Sequence, residues 1–89
     1  MQPKRGGENR EAAKSLWQLA PGHRAWVGEL SAQGELRRQL RDLGFVPGAQ
    51  VECLGKSPLG DPAAYRVRGA VVALRRRDAQ RIALGRGEE

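Results

Sequence analysis

Along the chain, hydrophobic and polar positions change period several times, and each change marks an element. Ser15 and Gln18 stand at capping-box spacing around Leu16 and Trp17, which predicts one helical turn before Pro21-Gly22. Residues 24–30 (RAWVGEL) are rich in bulky β-formers and predict a strand, with Gly28 marking a bulge or bend. From Glu35 to Leu43 the period lengthens. Leu36, Leu40 and Leu43 fall at i, i+4 and i+7, opposite Arg37, Arg38, Arg41 and Asp42, the pattern of an amphipathic helix. Gly44 suits its left-handed C-terminal position, with Phe45 or Val46 folding back on the last turn before Pro47-Gly48.

Beyond that turn the period returns to two. Val51 and Cys53 alternate with Glu52 and Leu54 within Gln50–Lys56, and Tyr65 and Val67 alternate with Arg66 and Arg68 within Ala64–Arg68. Gly69, the residue here that readily takes positive φ, turns the chain into a strand over Ala70–Arg75. Asp78 and Ala79 mark a single helical turn within Arg76–Arg81, and Ile82–Leu84 supplies a last short strand. The result is mainly β with short helices: about five strands and one amphipathic helix, best met by a small SH3-like barrel, with an OB-like barrel second.

Length and composition sharpen this picture. At 89 residues the chain holds one small domain with little room for a deep catalytic pocket. Residues 1–14 are rich in glycine and charge and read as a flexible basic tail, 15–84 as the folded domain and 85–89 as a second tail. The net charge of +6 divides into +2 on residues 1–14, +5 on 15–84 and −1 on 85–89, so the folded surface itself is basic. With Cys53 alone an internal disulfide is excluded, as suits a reducing compartment. No apolar run resembles an export signal or a membrane span, which points to the cytoplasm.

Candidate chemistry is sparse. One histidine, one cysteine and Ser15, Ser31 and Ser57 show no triad pattern, so no catalytic residue is assigned and the chain is read as a non-enzyme. His23 and Cys53 give at most half the ligands of a structural zinc, so no metal ligand is assigned. Weak divalent metal binding with carboxylates stays open, and no cofactor is required. Gly55-Lys56-Ser57 mimics the end of a phosphate-binding loop but lacks the earlier glycine and runs into Pro58. Arginines 37, 38, 41, 66, 68 and 75–77 can hold phosphates or merely solvate the outside. Single-strand binding also needs stacking platforms, and Trp17, Trp26, Phe45 and Tyr65 are mostly claimed by the core.

The least ordinary segment is Ser57-Pro58-Leu59-Gly60-Asp61-Pro62. Its prolines fix φ at both ends and Gly60 lets the chain reverse, so Pro58, Leu59, Gly60, Asp61 and Pro62 form a stiff loop. Leu59 either tucks into the core or makes an apolar tip for a protein partner.

Over residues 16–84 the chain resembles the FeoA family. The likeness rests on Leu16-x-x-Leu19 with Pro21-Gly22, on Leu36-Arg37-Arg38-x-Leu40-x-x-Leu43-Gly44-Phe45 with Pro47-Gly48, on residues 57–62, and on Val67-x-Gly69-x-x-Val72-Ala73-Leu74-Arg75 leading to Asp78-Ala79. The resemblance implies an SH3-like barrel and a non-enzymatic cytoplasmic accessory of bacterial ferrous iron uptake. Such a protein docks on and modulates the FeoB-type transporter, and is recruited by it to the inner face of the membrane. The expected docking surface joins loop 57–62 to Arg37, Arg38 and Arg41. Trp26 leaves room for a homodimer. The alternatives are a basic barrel that binds nucleic acid and a transition-metal-binding regulatory domain.

Overall fold

A computed structural model describes residues 14–85. The tails read at 1–13 and 86–89 lie outside the described residues. A 3₁₀ turn at Leu16–Gln18 comes first, with the Gln18 Oε1 accepting the backbone N–H groups of Lys14 (2.8 Å) and Ser15 (3.0 Å), the backward half of a capping box. Next come β1 (Arg24–Leu30), α1 (Gly34–Leu43), β2 (Gln50–Lys56), β3 (Ala63–Val67), β4 (Ala70–Leu74), the single-turn α2 (Arg76–Ala79) and β5 (Ile82–Gly85). All five strands form one antiparallel sheet in the order β4-β3-β2-β1-β5. Lys14 and Gly85, assigned to the tails by sequence, take part in it: the Leu84 N–H donates to the Lys14 carbonyl at 3.0 Å, and Gly85 pairs with Trp26.

The inward positions of every strand meet in one core. Val27, Leu30, Val51, Cys53, Tyr65, Val67 and Ile82 close on Leu16, Leu40 and Phe45, and among the described residues no polar or charged group other than the tyrosine hydroxyl shares their burial. Tyr65 ties β3 to the first turn by donating its hydroxyl to the Leu16 carbonyl at 3.4 Å. Gly28 lies at the β1–β5 register shift, where a Cβ would stand 3.1 Å from the Gly85 nitrogen and 3.2 Å from the Ala83 carbonyl oxygen. The expected bulge is therefore also a close approach of two backbones.

Three local expectations are corrected. Leu43 completes the apolar stripe of α1 in sequence yet is 42% exposed. Gly44, at φ 116°, ends the helix in the left-handed conformation, and the Phe45 N–H returns to the Leu40 carbonyl at 3.0 Å. This drops the fully buried Phe45 ring into the core beneath the last turn, the place Leu43 was to fill. The second correction concerns Arg68, which leaves β3 and joins Gly69 in a two-residue hairpin turn with φ of 52° and 83°. A turn of this hand needs positive φ at both central residues, so β3 starts and stops one residue earlier than its alternation suggested. The third is at the other end of β4, which stops at Leu74 because Arg75 is the N-cap of α2.

Burial pushes the Tyr65 hydroxyl well above the ordinary tyrosine range, helped by the neighbouring Cys53 and Asp61, and burial also raises the Cys53 thiol. Both groups are neutral when protonated, so the folded state holds these protons more tightly than the unfolded chain. Their contribution is fully present below the unfolded values and is lost as pH rises through the folded ones. Urea midpoints are expected to hold steady near neutrality and fall above roughly pH 9–10, where the unfolded chain gives up these protons before the folded one does. Cys53→Ala should flatten the onset of that fall; an unchanged slope would show that the thiol does not titrate with unfolding.

Candidate functional site

Loop 57–62 connects β2 to β3 and is braced from within. The Ser57 N–H donates to the Pro62 carbonyl at 2.9 Å, and the Gly60 N–H donates to the Ser57 carbonyl at 2.7 Å. Gly60 reverses the chain at φ 91°. Prolines at both ends restrict the backbone further, so the loop keeps little freedom to lose on binding. Leu59 does not tuck into the core. Its side chain stands at the tip, 93% exposed, the most open large apolar residue among those described.

Asp61 does something sequence did not show. Its Oδ1 accepts the backbone N–H of Arg76 at 3.0 Å, fastening the far side of the loop to the start of α2. On the near side the Lys56 ammonium sits 4.2 Å from the centroid of the Trp17 ring and donates to the Trp17 carbonyl at 3.1 Å. The Arg76 guanidinium lies 5.9 Å from the same ring. Trp17, half-buried against the core, thus gathers the cations at both flanks of the loop. Trp17 and Lys56 were each visible in sequence, but nothing in the spacing of 39 residues joined them.

The helix arginines are placed elsewhere. Arg37, Arg38 and Arg41 are exposed on α1 and line a shallow cleft with Gly34, Asp42 and Val46, and Arg38 reaches Glu35 at 3.7 Å in an exposed pair of little energetic weight. The lining of that cleft includes no residue of loop 57–62. The arginines that border the loop are Arg75, Arg76 and Arg77, which line an open cleft with Asp61 and Gln80. The apolar tip with a basic flank is therefore built from β2–β3 and α2.

The His23 carbonyl accepts the Cys53 N–H at 3.0 Å, so the two candidate ligands are backbone neighbours. The Cys53 thiol nevertheless belongs to the core while His23 is exposed. Among the described residues no three of His, Cys, Asp and Glu cluster as a metal site would require. Phe45 and Tyr65 are fully buried and not available as stacking platforms. No helix among the described residues is long and apolar enough to cross a membrane.

Comparison with known proteins gives a consistent result. A family model described as the FeoA domain matches residues 14–85. A fusion protein of Porphyromonas gingivalis, named Fe(2+) transport protein A/Fe(2+) transporter FeoB, is 34% identical over 67 residues, covering 75% of this chain and 8% of that one. The solution structure of iron(II) transport protein A from Clostridium thermocellum superposes with a TM-score of 0.76 at 37% identity, over 79% of this chain and 43% of that one. The chain thus spans less than half the length of either relative. FeoA of Stenotrophomonas maltophilia, solved with zinc and described as a prokaryotic SH3 domain protein, gives a TM-score of 0.73 at 32% identity, over 82% of this chain and 91% of that one. With the family model spanning the described residues and these superpositions at 32–37% identity, the chain belongs to the FeoA family, with its SH3-like fold.

Proposed function

We propose that this protein is a non-enzymatic cytoplasmic accessory of ferrous iron uptake that docks on the cytoplasmic part of an FeoB-type transporter and modulates it. The observation that carries this reading is the Porphyromonas gingivalis relative, in which a similar domain is continuous with an FeoB transporter in one polypeptide. Two activities joined in one chain act at the same place, at a high effective concentration. A domain of the same family acts on such a transporter through a contact surface, and a preformed surface makes that contact at little entropic cost.

The braced loop supplies one. A stiff apolar tip buries Leu59 on contact at little entropic cost, and the Arg75–Arg77 flank favours an acidic rim on the partner. Iron is the transporter's cargo in this scheme. Purified protein and the soluble cytoplasmic region of an FeoB-type transporter from the same organism are expected to co-elute and to give a saturable binding isotherm weakened by salt. Independent elution and no heat of binding at high micromolar concentrations of both would reject the proposal.

A further inference from the structure

The two edges of the sheet are treated differently. Beyond β5 the chain places Lys14 and Ser15, with Ser15 bridging Ala83 and the Leu84 N–H bonded to Lys14. Beyond β4 no strand pairs among the described residues. The Arg68-Gly69 turn makes Val67 and Ala70 a hydrogen-bonded pair, and alternation then directs the N–H and C=O groups of Val71 and Ala73 away from β3. Neither residue has another backbone partner among the described residues.

Exposed edges are ordinarily blunted by charge, proline or a bulge. Here Ala70–Leu74 reads AVVAL, without a charged residue, and pairs with β3 in unbroken register. Val71 is 62% exposed, and Ala70 and Ala73 are exposed as well. The charges stand at the two ends instead: Arg68 before the strand, Arg75 after it, both exposed. The nearby carboxylates are already engaged, Glu52 with Arg66 at 3.4 Å and Asp61 with the Arg76 N–H at 3.0 Å.

We infer that the β4 edge receives an extended, acidic-ended segment of another polypeptide as a sixth strand. Main-chain bonds to Val71 and Ala73 supply the pairing, apolar side chains of the incoming strand lie beside Val71, and carboxylates at its ends meet Arg68 and Arg75. Charge decides against a second copy of this chain, because antiparallel pairing of two β4 strands would set the arginines at one end of each against those at the other end of its mate. This surface is distinct from loop 57–62, and either can fail without the other.

The test uses the full chain and a synthetic peptide of alternating valine and threonine with glutamates at both ends. It is expected to slow hydrogen exchange of the Val71 and Ala73 amides and to shift resonances of β3 and β4. Val71→Pro, which removes only an outward N–H, and Val71→Lys, which adds charge to the edge, should each weaken binding about tenfold or more while the core melts as before. Should the proline variant not fold, the lysine variant carries the comparison. The same peptide ended with lysines should not bind. The inference is overturned by equal binding of both peptides, by shifts outside β3–β4 that neither variant alters, or by β4 amides already protected in the free protein, whether that protection grows with concentration, as for a second copy, or does not.

Discussion

Phe45→Ala is expected to be the most destabilising single truncation in this protein. The ring is completely buried and lies where α1 returns its chain to the sheet, held by the Phe45 N–H bond to the Leu40 carbonyl. Removing a buried phenylalanine ring loses its transfer energy and leaves a cavity, together about 3–5 kcal/mol. A folded segment of this size has roughly 4–11 kcal/mol of total stability, so the variant is left marginal. Leu43→Ala, two residues earlier and 42% exposed, should cost less than about 1 kcal/mol. The measurement is the urea midpoint of both variants at neutral pH. Equal midpoints would mean that the helix end is not built as described.

The same pair shows where sequence reasoning reached and where it stopped. Periodicity located α1, β2 and β3 because burial of one face imposes a period on each, while bulky β-formers marked β1 and the Gly69 turn marked β4. Periodicity carries no information about the direction a chain takes once it has passed a left-handed glycine. Gly44 resets that direction, and only after the reset is it decided which apolar residue, Leu43 or Phe45, faces inward. Arg68 is a similar case. A one-letter alternation counts it into the strand, whereas the two-residue turn takes it out, at a φ that arginine seldom adopts.

The site was legible in part. The prolines and Gly60 announced a stiff loop, since those properties are local, but left open whether Leu59 tucks into the core or stands at the tip. The bracing of the loop is not local. Asp61 meets Arg76 across 15 residues and Lys56 meets Trp17 across 39, and neither pairing has a sequence signature. The helix arginines were joined to the loop by their charge alone, and charge says nothing about distance; the cleft beside Asp61 is lined by Arg75–Arg77.

On the proposed function, Leu59→Ala is expected to abolish the contribution to ferrous iron uptake while leaving the fold unchanged. At 93% exposure the side chain adds nothing to the core, so its removal should shift the urea midpoint by no more than about 0.5 kcal/mol. Yet a bare leucine on a braced loop is the sort of anchor whose truncation costs a docking interface about 2 kcal/mol or more, roughly a thirtyfold loss of affinity. Asp61→Ala should behave differently. It leaves the tip intact but removes the acceptor of the Arg76 N–H, an exposed bond worth about 0.5–1.5 kcal/mol, and lets the loop sample other conformations. Its affinity should fall less than that of Leu59→Ala, with faster hydrogen exchange at Arg76 as the accompanying sign. The two variants separate contact from rigidity: one loses uptake with its loop still rigid, the other loses rigidity with its contact residue still present. Wild-type uptake by cells carrying Leu59→Ala, with the protein folded and at its usual level, would remove loop 57–62 from the docking surface.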